Sequence, residues 1–490
     1  MKLRLGQITA AAMLALVAAL FPAYAAHADG VHEIPLVMIV VEYDGGSDPE
    51  AAVLYDDDYN WAAALFSEGE SPASYYRDMS GGSFTFTPAK ETSETGVDDN
   101  TNNADRVDDG VIHVTLRERH DAWGAVNVDR DVTSDFVQMV MRALDAASSR
   151  IDFAAYDTNG DGVISQDELA ICLCIAGYEA SPITDFRRTD VPLMWAHAGI
   201  LAFTSARDQT VDNLRFETYI AISERYWEEY DPIETAEYEP LGIVYHELGH
   251  ALGLPDLYAV KYTEGAWSDS KIGPLSLMDE GGWQYADMGD GLRNIPTSLD
   301  AWSRYALGWT EPTIVARSGD FRVSSQLSDS GYTALIIPTS DPDEYFLVEN
   351  RQAEGHDVSL APDYLGPSGV VIWHVDNAMY ERYYDANQVN DANHRPAVMA
   401  DDASGETSVN LMLYSNENDT PDALENAGIT LQLEANPGRD TIVHVELDDK
   451  TGVLNTTHLL NDVAKKQLDM TDDKELFDSI MPLLKAAIKH

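Results

Sequence analysis

The sequence predicts an α+β protein with a mixed helix-and-strand region first, a β-rich region second and a short helical segment last. Three observations carry this. The apolar run Glu33–Glu42 reads as a central strand. A segment from Pro240 to Gly253 carries histidines four residues apart, His246 and His250, the spacing that puts two side chains on one helix face. From about Pro312 to Asp449 the pattern changes to short strands separated by Gly, Asp and Asn turns.

At 490 residues and 44% hydrophobic, the chain can bury a large core and is expected to divide into more than one domain. Residues 1–28 stand apart. Lys2 and Arg4 precede an apolar run from Ile8 to Leu20 and then Ala26-His27-Ala28, which together read as a secretory signal cut before Asp29. The run is too short for a spanning helix, and no later apolar stretch reaches the roughly 18 residues that one needs. The expectation is an exported chain without a membrane anchor, with domains at 29–311 and 312–450 and a helical extension at 451–490. Its apolar faces include Leu459, Leu460, Val463, Leu476, Phe477, Ile480, Leu483 and Leu484.

Removing Lys2 and Arg4 takes the formal net charge from -53 to about -55, which excludes nucleic acid as a partner. Such repulsion favours solubility. It suits a salty or calcium-containing medium, where screening offsets it, and is equally compatible with an acidic protein in ordinary medium.

The stretch from Asp157 to Glu168 matches a twelve-residue EF-hand loop. Asp157, Asn159, Asp161 and Ser165 supply side-chain oxygens at positions 1, 3, 5 and 9, Val163 a carbonyl at 7, Gly162 the turn at 6 and Glu168 the last carboxylate. A helix carrying Phe136, Val137, Val140, Met141 and Leu144 leads into it, whereas Leu169 onward is strand-like, so one arm is missing. The expectation is a structural calcium site that pins a junction. Cys172 and Cys174 follow in a buried strand, two apart on one face and too distant for an easy disulfide, so both are expected as buried thiols. Arg215–Ser223 alternates like an edge strand, which in peptidases with a two-histidine helix can pair with an extended substrate.

His246-Glu247-Leu-Gly-His250-Ala-Leu-Gly253-Leu-Pro-Asp256 carries the chemistry. His246 and His250 can turn their ring nitrogens to a single zinc ion. Glu247 stands beside the metal, placed to take a proton from the attacking water and pass it to a leaving amine. Pro240 suits a helix start and Gly253 the left-handed residue that ends one, so Asp256 can return as third ligand. About twenty residues on, Leu275-Ser-Leu-Met278-Asp-Glu-Gly-Gly-Trp283 reads as a tight turn around Met278, similar to the methionine turn that floors metzincin sites.

These motifs resemble the immune inhibitor A family of secreted bacterial metallopeptidases. So do Tyr75–Phe84, an early helix-to-strand passage, and the blocks Ser298–Trp309, Tyr345–Gln352 and Gly369–Asp376, in the expected order over roughly residues 33–405. The resemblance implies a metzincin-like zinc peptidase domain with a twisted sheet and an active-site helix. It implies zinc ligation by His246, His250 and Asp256 and catalysis by Glu247, with Glu264 and Glu280 as competing third ligands. Better-known members carry a pro-segment and large C-terminal domains, whereas here the catalytic sequence follows the export signal almost at once.

The sequence thus points to a secreted zinc endopeptidase acting on protein or peptide substrates, with Tyr285, just past the methionine turn, as a candidate to assist at the oxyanion. His374 sits in a strand and reads as structural, and Asp385–Asp402 reads as a solvated acidic loop or a further calcium site. Two other classes stay open: a calcium-stabilised binding or adhesion protein, which would have no need of Glu247, and a hydrolase of non-peptide amides or esters. Nothing in the sequence sets an oligomeric state.

Overall fold

The computed structural model describes residues 31–448 except 56–58, 92–107, 121–133, 183–190, 228–230, 234–235, 239, 261–271, 290, 342, 361–367, 392–394, 402–412, 415–421 and 434–437. The signal at 1–28 and the helical extension at 451–490 lie outside the described residues. Among the described residues no helix is long and apolar enough to cross a membrane.

The first half contributes ten strands: β1 (His32–Tyr43), β2 (Phe84–Pro88), β3 (Val111–Leu116), β4 (Val163–Ile164), β5 (Ala170–Glu179), β6 (Leu193–Met194), β7 (His197–Ile200), β8 (Arg215–Phe216), β9 (Thr218–Tyr226) and β10 (Glu237–Tyr238). Eight form one mixed sheet in the order β10-β9-β5-β1-β2, with β3 on β1, β6 on β5 and β7 on β9. β1 lies inside it, parallel to β5 on one side and to β2 and β3 in succession on the other.

The continuous apolar runs follow from burial on both faces. Val37, Ile39 and Val41 of β1 join Leu173 and Ile175 of β5 in a core with Phe136, Val140 and Leu144. The alternate residues Leu36, Met38 and Val40, with Cys172, Cys174, Ile220 and Ile222, form a second core with Val244 and Leu248. Helices therefore cover both faces: α1 (Trp61–Phe66), α2 (Pro72–Met79), α3 (Ser134–Ala147), α4 (Leu241–Ala251) and α5 (Ala301–Ala306) in chain order, with α3 against one core and α4 against the other. Both cysteines are free and buried.

α2 starts cleanly because the Ser71 hydroxyl accepts from Ser74 N and Pro72 occupies the first turn. It presents Tyr75 and Tyr76 inward, where their hydroxyls donate to the carbonyls of Thr297 (2.7 Å) and Tyr245 (2.6 Å).

The chain continues through a hairpin, β11 (Tyr285–Asp287) and β12 (Leu292–Asn294), into the β-rich half. There β13 (Thr313–Ile314), β14 (Gly319–Ser324), β15 (Leu335–Pro338), β16 (Glu344–Gln352), β17 (Ser368–Asp376), helix α6 (Asn377–Tyr383), β18 (Val398–Asp401), β19 (Leu413–Tyr414), β20 (Ile429–Leu433) and β21 (Asp440–Leu447) follow. The six-stranded sheet β13-β15-β16-β17-β18, with β19 on β17, packs Phe346, Val348, Val370 and Ile372 against Ile429, Leu431, Val443 and Val445 of the three-stranded sheet β14-β21-β20. Its opposite face, with Leu347, Val371 and Trp373, belongs to the same core as α4.

A buried ionic knot ties the halves. Arg351 donates to Asp357 (2.7 and 2.6 Å), to Glu349 (3.3 Å) and to the carbonyl of Leu275 (2.9 Å), while Trp373 and Tyr332 donate to Glu349 (2.9 and 2.7 Å). His374 stacks on Phe346 and faces Glu344 at 3.5 Å, away from the histidine pair of α4.

Two expectations change here. The alternation in Arg215–Ser223 is confined to β8, where Arg215 is exposed and Phe216 buried; β9 is buried on both faces from Tyr219 to Glu224. β9 is also not an edge, because β5 flanks it on one side and β7 and β10 on the other. The helix expected to lead into the EF-hand-like loop is α3, but it ends at Ala147, and a single turn, Phe153–Ala155, intervenes.

Candidate active site

α4 begins with no side-chain cap of its own. Asn294, at the end of β12, supplies one by accepting from Gly242 N at 2.7 Å. The helix ends where Gly253 adopts φ +87°, a conformation that costs glycine little, and this reversal brings Asp256 back beside the helix. His246, His250 and Asp256 then offer ligand atoms all within 4.8 Å of one another. Among the described residues they are the one His, Cys, Asp or Glu group so placed; Glu280 does not join it, and Glu264 lies outside the described residues.

The ring orientations are set from outside the cluster. His246 Nδ1 meets the Leu277 carbonyl at 2.8 Å and His250 Nδ1 meets the Leu254 carbonyl at 2.7 Å. A carbonyl only accepts, so each Nδ1 carries a proton and each Nε2 is the nitrogen turned to Asp256. Those Nε2 atoms stand 3.0 and 3.2 Å from one oxygen of Asp256, Oδ1. Two imidazole nitrogens and a carboxylate oxygen converging on one point suit a divalent transition metal.

Burial works to raise the Asp256 carboxyl, but the flanking His250 and His246 bring it well below the usual carboxylate range. Burial likewise presses on both imidazoles, and Asp256 overrides it, holding both above the ordinary histidine value, so a metal would bind here in competition with protons. Glu247 is pushed up to about 8 by burial, with His246 pulling down and Asp256 and Glu179 adding to the rise. Its Oε2 is buried without a hydrogen-bond partner among the described residues, although Glu247 lines the open cleft. An acceptor in that position is suited to hold a proton in transit.

Met278 is fully buried beneath α4, against Gly249. The turn around it does more than fill space. Leu277 provides the carbonyl that orients His246, and Met278 O accepts from Leu257 N at 2.8 Å, fastening the loop that carries Asp256.

A cleft of about 500 Å³ opens over the cluster, with Glu247, His250 and Asp256 on its floor. β7, with Trp195 and Ala196 before it, forms one wall, and Gly253–Asp256 with Tyr384 and Asn387 another. Tyr285 is not among its lining residues; it sits 40% exposed on β11, while Tyr219, Tyr258 and Tyr384 line the cleft.

The second wall comes from an unexpected place. Asp385–Asp402 reads in sequence as a solvated loop or a further calcium site; in the structure Val389, Asn390 and Asp391 are buried and the Asn387 carboxamide grips Asp256. No sequence signal announces this, because the partners lie 131 residues apart.

In the EF-hand-like loop, Asp157 accepts from Gly160 N and Gly162 N, Asn159 from Asp161 N, and Asp161 from Val163 N. Glu168 folds back onto Thr158 N and the Ser165 hydroxyl.

Residues 70–310 match the family described as immune inhibitor A peptidase M6, catalytic domain. No curated protein matches the chain.

Proposed function

The chain belongs to the immune inhibitor A peptidase M6 family through residues 70–310, a family of metallopeptidases acting on proteins or peptides, and from that premise we propose that it is a secreted zinc endopeptidase. The observation that carries the reading is the convergence of His246 Nε2 and His250 Nε2 on Asp256 Oδ1, with both Nδ1 atoms tied to backbone carbonyls. The residues fit zinc: two imidazole nitrogens, one anionic oxygen, and an open cleft on the remaining side. Zinc, when bound, supplies a Lewis acid that polarises the scissile carbonyl and makes water acidic enough to lose a proton near neutral pH.

The chain's own groups do the rest. Glu247 takes the proton of the attacking water and delivers it to the leaving amine. β7 takes the substrate-pairing role that the sequence suggests for Arg215–Ser223. It pairs with β9 on one side, lines the cleft, and so can hydrogen-bond an extended peptide across the floor. Export rests on the signal-like residues 1–28.

Calcium binds the loop Asp157–Glu168, where Gly162 at position 6 has the left-handed φ of +78° that the turn of such a loop needs. The parallel pairing of β4, inside the loop, with β8 explains why the ion would stiffen this junction.

The test is zinc content together with peptide-library cleavage, in calcium, for wild type and Glu247→Ala. One zinc in both proteins and cleavage only in wild type is the expected result. Zinc in both with cleavage by neither would favour a binding role, and a zinc-free wild type would overturn the ligand assignment.

A further inference from the structure

Resting on that reading of the site, we propose that Asn387 is a positioning residue for the metal ligand Asp256, so that a segment beyond the family-matched residues completes the metal site. Asn387 follows the turn Tyr384–Ala386 and is held in the left-handed conformation (φ 50°, ψ 46°), which asparagine tolerates better than most residues. In that pose its carboxamide makes two bonds to one residue. Its Oδ1 accepts from Asp256 N at 2.8 Å, and its Nδ2 donates to Asp256 Oδ2 at 2.6 Å.

The double bond fixes both the backbone and the carboxylate of Asp256. With Oδ2 engaged by the amide, Oδ1 alone faces the two histidines, so Asp256 offers the metal a single oxygen. A neutral amide orients the carboxylate without cancelling the charge that a dication requires. A cationic donor would compete with the metal, and a carboxylate would repel Asp256.

Two neighbours brace the same loop without touching the Asp256 carboxylate. The Tyr384 hydroxyl donates to the Gly253 carbonyl at 2.9 Å, and Asn390 Nδ2 donates to the Leu257 carbonyl at 2.8 Å. They allow the carboxamide's role to be separated from that of general docking.

The experiment measures zinc affinity by chelator competition and the visible spectrum of the cobalt(II)-substituted full chain, for wild type, Asn387→Gly, Asn387→Asp and Tyr384→Phe. Glycine keeps the left-handed backbone at no steric cost while deleting the carboxamide, and aspartate keeps its shape while replacing the donor. The expected result is zinc binding weaker by roughly 10–100-fold, with an altered cobalt spectrum, in both Asn387 variants, while Tyr384→Phe keeps the wild-type spectrum. Wild-type affinity and spectrum in either Asn387 variant would overturn the proposal. So would an equal loss in Tyr384→Phe, which would assign the effect to docking of the segment. A wild type that binds no zinc would overturn the ligand assignment, and this proposal with it.

Discussion

Gly242→Ala tests how α4 is held against the methionine-turn segment. Gly242 and Gly282, in the turn Glu280–Trp283, meet backbone to backbone. A methyl on Gly242 would overlap Gly282 O outright and stand 2.8 Å from both the Gly282 carbonyl carbon and Asn294 Oδ1, the atom that caps the helix. Carbon atoms pack at about 3.5 Å or more, so helix and turn must part by at least about 0.7 Å, the difference from the 2.8 Å available. No rotamer can absorb this, because the obstacle is main chain. Overpacking of this kind costs about 1–3 kcal/mol, and alanine's better helix propensity returns about 0.5–1 kcal/mol. Taking the upper end of both, the expected loss is roughly 2 kcal/mol, read as a lower urea midpoint at unchanged slope. The displaced helix carries His246 and Glu247, so kcat/KM on a peptide substrate should fall by on the order of 100-fold. Gly249→Ala is the internal control. Its methyl would meet side-chain atoms alone, the Met278 thioether and the Tyr76 hydroxyl, rather than main chain, so its loss should be the smaller of the two. An unchanged midpoint for Gly242→Ala, or a larger drop for Gly249→Ala, would refute the reasoning.

Calcium at about 100 times its dissociation constant should stabilise wild type by about 2.7 kcal/mol and leave Glu168→Ala unmoved; an equal rise in the melting temperature of both would remove calcium from this loop. Glu179, fully buried at the end of β5, is raised from 4.5 to about 7 by burial, against hydrogen bonds from Ser181 and Ala196 that lower it. The folded state therefore holds a proton that the unfolded state releases, and this contribution to stability is present below about pH 4.5 and lost as pH rises to about 7. Glu179→Gln should flatten the urea midpoint across that window, and an undiminished slope would assign the loss to other groups. Burial pushes the Cys172 thiol up, so neither cysteine should react with a thiol reagent until denaturant is added; modification of the native protein would contradict the packing of β5.

The parts of the fold legible in sequence are those whose causes are local. β1 and β5 announce themselves as unbroken apolar runs because both of their faces are covered. His246, Glu247, His250 and Gly253 are legible because helical periodicity and a single left-handed residue place them. What sequence hides is contact across distance. The place of β7 in the cleft wall is invisible in the short, small-residue run His197–Ile200, while β9 reads as an edge from an alternation that belongs to β8. Tyr285 follows the methionine turn in sequence, but the hairpin β11-β12 sets it outside the cleft lining. Asn387 looks like any turn asparagine until α6 and the turn after it bring it to Asp256.

The Arg351 knot bears on where this protein can be cut or recombined. Its guanidinium, on β16, closes hydrogen bonds on carbonyls at Leu275 and Ser298, inside the family-matched stretch. A fragment ending near residue 310 would strip those carbonyls of their donor and bare the apolar face opposite Leu347 and Trp373. Leaving a buried carbonyl without its donor costs about 1–3 kcal/mol, a large share of what an ordinary domain has to spare. The end of the family-matched stretch should therefore not act as a seam. The two halves should melt as one cooperative unit, and a change that loosens the rear sheet should be felt at the catalytic floor through Leu275, two residues before the carbonyl that aims His246.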